Sequence, residues 1–224
     1  MSKLHQKKAF RKSFLILPIL FFVLGYSLIF IATAPVLKPV ISVIDMVFFD
    51  QRVDIDAQVQ SLYNKANQSM QNPSEIKASE ITFPSYGTHF GHISVENTSV
   101  DADVYFGDGI NQLKNGVGVY NGSFVPGYGR TTLIAGHNHT YFNGLKNAKI
   151  GDTITIQTNY GEYRYEIQDT KVLKATDTSA YDLSKEEENL ILYTCYPFDQ
   201  LGLTPDRYFV YGKYISGPKI ILNE

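Results

Sequence analysis

Two patterns of apolar residues divide the chain into an N-terminal segment and a larger C-terminal region. Residues 13–37 contain no charged side chain and are rich in Phe, Leu and Ile. At about 1.5 Å per residue, a helix of this length crosses a hydrocarbon core of about 30 Å with some tilt. From Ile81 onward, short apolar or alternating runs lie between Gly, Pro, Asn and Asp. The sequence therefore predicts an apolar helix followed by a domain of short strands.

Seven runs in the C-terminal region have the alternation or the apolar content of β-strands. Turn residues such as Asn121-Gly122 and Pro126-Gly127 separate them. Strands this short, at this spacing, are typical of an all-β barrel or sandwich. The predicted strands cover residues 91–95, 100–106, 131–135, 153–158, 162–172, 189–194 and 208–215.

Two further helices are predicted from weaker patterns. Residues 50–70 have apolar positions at loosely helical spacing before Asn72-Pro73, which fits either a short stalk helix or a solvated linker. Ser184 and Glu187 have the spacing of a capping box, and this predicts a brief helix over residues 183–189.

The charged residues suggest how the chain is oriented. Residues 1–12 contain five basic residues and no acidic one, and a basic cluster before an apolar segment favours a cytoplasmic N-terminus. We expect a cytoplasmic tail at 1–12, a transmembrane anchor at 13–37, a linker or stalk at 38–80 and an extracellular domain at 81–224. A cleaved signal peptide is the alternative, because Ala32-Thr33-Ala34 resembles a cleavage site. Its apolar segment would be unusually long, and Pro35 would follow the cut, so we favour the anchor.

The exported region is net acidic. Five of the 20 basic residues of the chain lie in the tail, and all 22 acidic residues lie after the apolar segment. The region after this segment therefore has more acidic than basic residues. Binding to nucleic acid depends on cationic groups that neutralise phosphates. The composition therefore excludes nucleic acid as a partner.

Cys195 is the only cysteine in the chain. Exported proteins usually keep cysteines in pairs, so a single one indicates an intermolecular partner or a working thiol. A small buried hydrophobic residue is the other interpretation. A thiol with its ordinary pKa of about 8.5 is only a few per cent thiolate at neutral pH, and a nearby imidazolium or guanidinium makes it a better nucleophile.

His137 and Arg207 are the candidates for these two groups. His137 and His139 follow the predicted strand 131–135, and strand ends often display reactive groups. We interpret His89 and His92 as ordinary surface or edge residues. A metal bound by His137 and His139 would need a third ligand, and no such motif is present, so no metal or cofactor is predicted. Arg207 begins the strand after Cys195; a surface ion pair with Asp199 or Asp206 is its alternative role.

Several short motifs follow one another in order along residues 81–216. They are Val104-Tyr-Phe-Gly-Asp-Gly109, Gly116-Val-Gly-Val-Tyr120, Ala135-Gly-His137 with Phe142-x-x-Leu145 and Ile150-Gly-Asp152, and Leu192-Tyr-Thr-Cys-Tyr-Pro197 with Arg207. Taken in this order, they resemble the sortases, which are membrane-anchored cysteine transpeptidases of mainly Gram-positive bacteria; Ile191-Leu192 stands where the family has Thr-Leu. The form Cys195-Tyr-Pro-Phe198 with Thr204-Pro-Asp-Arg207 is most like class D, and no Asp-Pro-aromatic lid motif of the pilin-polymerising class C is visible.

The resemblance implies a closed eight-stranded β-barrel with His137, Cys195 and Arg207 as catalytic residues at one rim. It selects His137 rather than His139, and it implies that Thr194 helps to shape the substrate-binding site. Cys195 would cleave a Leu-Pro-x-Thr-Gly-like sorting signal after Thr, and an amine of a cell-wall precursor or a pilin lysine would resolve the thioacyl-enzyme. A membrane-tethered cysteine endopeptidase and a non-enzymatic β-barrel binding module are the alternatives.

Overall fold

The computed structural model describes residues 18–31, 74–198, 200, 202 and 204–222. The chain divides into two units, Met1–Asp50 and Gln51–Glu224. In the first unit, residues 18–31 form helix α1, which contains no charged side chain. Within these described ranges, no helix is both long enough and apolar enough to cross a membrane. The predicted tail, both ends of the predicted anchor and residues 38–73 of the predicted linker lie outside the described residues.

The second unit is built mainly from strands. Helix α2, Ile110–Asn115, is the longest helix described there, and short 3-10 turns occur at Ala78–Glu80, Asn143–Asn147 and Thr178–Ala180. The strands are β1 (Glu75–Lys77), β2 (His89–Val95), β3 (Asp101–Phe106), β4 (Val117–Val119), β5 (Thr131–Ala135), β6 (Thr153–Thr158), β7 (Glu162–Lys174), β8 (Asn189–Tyr196), β9 (Asp206–Ser216) and β10 (Lys219–Ile221).

Eight of these strands close into a barrel in the order β2-β3-β4-β5-β8-β9-β7-β6, which confirms the predicted closed eight-stranded β-barrel. Strands β1 and β10 form a separate parallel pair. All seven predicted strands are present; β5 and β6 have the predicted ends, and the other five differ at one or both ends. Strand β4 was not predicted because its three residues are too few to show a period.

Two apolar clusters lie on opposite faces of the barrel wall. Side chains on the inner face, including Ile134, Leu192 and Val210, are fully buried in the main core. Their sequence neighbours Leu133, Ile191 and Phe209 belong to a second, smaller cluster that includes Ala180 of the β7–β8 connection. Since successive side chains of a strand point to opposite faces, the second cluster identifies the outer face of β5, β8 and β9.

The predicted helix over residues 183–189 is wrong. Residues 183 and 184 form a turn, and no helix is assigned between Leu183 and Asn189. The Asp182 carboxylate accepts hydrogen bonds from the backbone N–H and the hydroxyl of Ser184, at 2.9 and 2.6 Å. A capping box needs the same Ser184 N–H to be free for the Glu187 side chain. Asp182 therefore takes the donor on which the helix start depends.

Candidate active site

Three neighbouring strands bring the candidate catalytic residues to one end of the barrel wall. Strand β5 runs parallel to β8, and Ala135 is the partner of Tyr193. Strand β9 runs antiparallel to β8, and it pairs Phe209 with Tyr193 and Arg207 with Cys195. Directly opposite side chains on paired strands have Cβ atoms about 4.5–5.5 Å apart. Cys195 and Arg207 are therefore immediate neighbours across the β8–β9 ladder.

His137 continues the same row on the other side of Cys195. Beyond the end of β5, the Gly136 N–H still donates a hydrogen bond of 3.2 Å to the Tyr193 carbonyl, so the two chains stay in register. Continued two residues beyond Ala135, this register sets position 137 opposite position 195. Side chains separated by an even number of residues along a strand point to the same face. By this rule the three residues of the row lie on the face of the outer cluster residues Leu133, Ile191 and Phe209. All three candidate side chains consequently share one face.

Thr194 lies on the opposite face of β8. Its side chain is buried, with 2% exposure, and its hydroxyl donates a hydrogen bond of 2.7 Å to the Gly136 carbonyl. This bond ties the residue before Cys195 to the residue before His137. In this structure Thr194 shapes the site by holding two strands together, and its hydroxyl faces the barrel interior.

The Arg207 guanidinium is oriented by the loop that leads into β9. Its Nη1 atom donates to the Thr204 carbonyl at 2.7 Å and to the Asp206 carbonyl at 2.9 Å. The Asp206 carboxylate pairs instead with Lys174 at 2.7 Å, and Asp199 lies outside the described residues. The proposed surface ion pair between Arg207 and Asp206 is therefore not formed. The remaining donors of the planar guanidinium fork can serve a ligand.

Asn138 joins the histidine loop to the loop after Cys195. Its side chain is 3% exposed, and its Nδ2 atom donates to the Pro197 carbonyl at 2.8 Å and to the Gln200 carbonyl at 3.2 Å. The Asn143 side chain in turn donates to the Asn138 carbonyl at 2.8 Å. The position of His137 next to Cys195 thus depends on a buried residue that no sequence pattern had indicated.

The surroundings of His137 favour its neutral form. Burial lowers the pKa of the His137 imidazole, and the neighbouring His139 ring lowers it further. Cys195, the candidate partner of this imidazole, is partly exposed. A neutral imidazole next to a partly exposed thiol can accept the thiol proton and later return it to a leaving group.

The outer cluster extends from this row along the barrel wall. Tyr193 stacks on Phe209 with ring centroids 5.9 Å apart, and Phe209 stacks on Tyr211 at 6.3 Å. The Tyr193 hydroxyl donates to the Asp108 carboxylate at 3.4 Å, and burial raises the pKa of the phenol well above its usual value. These stacked rings pack against the buried outer cluster beside the candidate nucleophile and so help to fix the end of β8.

The two histidines of β2 do not reach this row. His89 and His92 lie on β2 and pair with carboxylates of β3. The hydrogen bond with Asp103 raises the pKa of the His92 imidazole. In the part of the chain that the structure describes, no three His, Cys, Asp or Glu side chains are arranged to hold a metal ion. The row itself provides a thiol, an imidazole and a guanidinium.

Known proteins share this arrangement of strands. The family model described as Sortase domain matches residues 93–215. The chain is 35% identical over 133 residues to Sortase D of Bacillus subtilis (strain 168), which covers 59% of this chain and 67% of that protein.

Two solved structures extend the comparison. The catalytic domain of B. anthracis SrtD is 31% identical with a TM-score of 0.51, covering 62% of this chain and 95% of that one. A Clostridium perfringens Sortase D5 transpeptidase has the same fold, with 22% identity and a TM-score of 0.56, covering 72% and 100% respectively.

Proposed function

The chain belongs to the sortase family and is a cysteine transpeptidase, and we propose that His137, Cys195 and Arg207 carry out its reaction on a Leu-Pro-x-Thr-Gly-like sorting signal. The observation that carries the assignment of residues is the shared register of β5, β8 and β9. It makes an imidazole, a thiol and a guanidinium neighbours across three strands, although they come from distant parts of the chain.

In the first step, the Cys195 sulfur attacks the backbone carbonyl carbon of the Thr in the sorting signal. The thiol proton passes to His137, and the bond to the Gly nitrogen breaks. His137 returns the proton to that nitrogen, which leaves as an amine, and a thioester with Cys195 remains. The lowered pKa of His137 suits this exchange, because a weakly basic imidazole gives up its proton readily.

In the second step, a primary amine attacks the thioester carbonyl carbon. His137 removes a proton from the amine nitrogen, a new amide bond forms, and Cys195 leaves as the thiolate and recovers the proton. We propose that the amine belongs to a peptidoglycan precursor or to a pilin lysine. With either amine, the substrate protein becomes attached to the acceptor through an amide bond, and the enzyme is regenerated.

Arg207 stabilises the negative charge that develops on the carbonyl oxygen in both steps. Donors that are oriented before the charge appears contribute most to such stabilisation. The bonds from Nη1 to the Thr204 and Asp206 carbonyls orient the guanidinium, and Arg207 is paired with Cys195 across the β8–β9 ladder. Arginine also remains protonated at any pH at which the enzyme works.

The apolar N-terminal segment supports a membrane-anchored location. We propose that residues 13–37 cross the cell membrane once, with residues 1–12 in the cytoplasm and the barrel outside. Five basic residues before an uncharged apolar segment favour this orientation. A tethered barrel would meet exported proteins while they are still held at the membrane of a Gram-positive cell.

The reaction is tested by incubating the full-length protein with a Leu-Pro-x-Thr-Gly peptide, with and without a primary amine, and analysing protein and peptide by mass spectrometry. We expect an acyl adduct on Cys195 and a new amide product when the amine is present. The Cys195→Ala and His137→Gln variants should lower product formation by about 10³-fold or more. The His92→Gln variant is the matched control and should keep wild-type activity.

The products also separate transfer from simple hydrolysis. Release of a free Thr carboxylate with no amide product, at any amine concentration, would identify an endopeptidase. Unchanged peptide in every reaction with a folded protein would favour the binding module. Each result would overturn the proposed transfer.

A further inference from the structure

The Asn138 side chain determines which nitrogen of His139 carries a proton. Its Nδ2 atom has two hydrogens, and both are directed to backbone carbonyls, those of Pro197 and Gln200. The Asn138 Oδ1 atom is therefore the acceptor, and it lies 3.1 Å from Nδ1 of His139. An oxygen acceptor at this distance requires a hydrogen on Nδ1. The neutral His139 ring is the Nδ1–H tautomer.

The other nitrogen of His139 is then left with a lone pair. Nε2 is buried and has no hydrogen-bond partner among the residues that the structure describes. A proton added to Nε2 would create a buried N–H without an acceptor, which is unfavourable. The site therefore disfavours the protonated form of His139, in agreement with the lowering of its pKa by burial.

The His139 ring lies directly beside that of His137. The two ring centroids are 5.5 Å apart, and the ring planes are inclined by 30°. At this separation, a charge on one imidazole opposes a charge on the other, and partial burial weakens the screening by water. Protonation of either ring consequently disfavours protonation of its neighbour.

We propose that His139 is a positioning residue for the reaction proposed above: Asn138 clamps it in one tautomer beside His137, so that the two imidazoles take up protons as a coupled pair rather than independently. The inference depends on the proposed role of His137. His139 acts only through His137, because its own free nitrogen is buried and does not reach substrate.

Cys195 and Arg207 are the other titratable groups of the row. Cys195 lies on the neighbouring strand and Arg207 on the strand beyond it. Both are retained in the variants described below. A change in the titration of His137 after substitution of His139 therefore reports the loss of the second imidazole and not a change in the rest of the row.

The test is an NMR titration of the full-length protein with ¹⁵N-labelled histidine. In the wild type, we expect the His137 ring to titrate in two steps, at the same pH values as the His139 ring. In His139→Gln, the Gln amide can still donate to Asn138 Oδ1 but carries no charge. His137 should then titrate in one step. Its midpoint should lie about 0.5 pH unit or more above the pH of the second wild-type step, which is the one at lower pH.

The matched control is His92→Gln, which removes a histidine from β2 and should leave the two-step curve of His137 unchanged. A single-step His137 curve in the wild type, or identical His137 curves in the wild type and His139→Gln, would overturn the proposal. The wild-type curve decides the question even if the variant fails to fold.

The pH dependence of kcat/KM gives a second readout. One limb of the pH profile of kcat/KM follows the protonation of His137. In His139→Gln this limb should move along the pH axis by the same amount as the NMR midpoint. If the role of His139 were purely structural, activity would fall and the limb would stay in place. A limb that stays in place would overturn the proposal. If the wild type transfers no peptide, the proposed function fails, whereas the NMR titration still decides whether the two rings are coupled.

Discussion

Cys195 and Arg207 face each other directly across the β8–β9 ladder, twelve positions apart in the chain. The last residues of β8 therefore pair with the first residues of β9. The carbonyls of Thr204 and Asp206, at the end of the connecting loop, accept hydrogen bonds from the guanidinium. The same short segment therefore carries the proposed nucleophile and the carbonyls that orient the Arg207 guanidinium.

Native Cys195 is expected to react with a thiol-directed alkylating reagent. Its side chain is partly exposed, and the adjacent imidazole of His137 can take up the thiol proton. The measurement is the rate of mass increase of the folded protein, compared with the rate after denaturation. Alkylation only after denaturation would show that Cys195 is a buried structural residue.

The Arg207→Lys substitution should affect activity much more than stability. Lysine keeps the positive charge but has no planar fork, so it cannot bind both loop carbonyls and a carbonyl oxygen of the substrate. We expect kcat/KM to fall by about 10- to 100-fold and the free energy of unfolding to fall by no more than about 1.5 kcal/mol. Peptide transfer assays and denaturant unfolding provide the two values.

A surface arginine is the matched control for this substitution. Arg164 on β7 is more than half exposed and pairs with Glu162, so Arg164→Lys should change neither quantity measurably. Full activity in Arg207→Lys would remove Arg207 from the mechanism.

The Thr194→Val substitution should lower both stability and activity. It preserves the shape of the side chain but removes the hydroxyl that donates to the Gly136 carbonyl, and a buried acceptor without its donor costs about 1–3 kcal/mol. Because Gly136 precedes His137, the loss should also reduce kcat. Denaturant unfolding and peptide transfer assays measure the two effects. Thr194→Ser retains the hydroxyl and should recover most of the lost activity; equal losses in both variants would contradict this role.

Glu188 should make the stability of the barrel depend on pH. Burial raises the pKa of its carboxyl above the ordinary value of 4.5, although the Tyr165 hydroxyl and the N–H groups of Gly127 and Gly129 donate to it. The folded protein thus holds this proton more tightly than the unfolded chain. The corresponding stabilisation is complete below the unfolded pKa and is lost as the pH rises through the raised folded pKa.

The free energy of unfolding, measured in denaturant from pH 4 to pH 8, tests this contribution. Glu188→Gln should remove the fall in stability that this group causes, because an amide does not titrate in this range. Glu186→Gln is the control, since the Glu186 carboxylate is exposed and pairs with Arg130 at the surface, and it should keep the wild-type slope. The same slope in Glu188→Gln and the wild type would contradict the assignment.

The sequence by itself determined the class of fold and the residues worth considering. Alternation of apolar and polar residues located seven of the eight barrel strands, because a half-buried strand must bury every second side chain. The order of the motifs around His137, Cys195 and Arg207 indicated the family. These features are local, so they can be read without knowing which strands are neighbours.

Only the tertiary structure decided how these residues meet. The parallel pairing of β5 with β8 joins segments far apart in the chain, and closure of the barrel sets their register. That register turns Thr194 inward, brings His137 to Cys195 and gives Asn138 its partners in the loop after the cysteine. The helix predicted over residues 183–189 failed for a similar reason, because the Asp182 carboxylate accepts the Ser184 N–H that the helix start needed. Long-range pairing and competition for hydrogen bonds depend on the whole fold, and a local pattern carries neither.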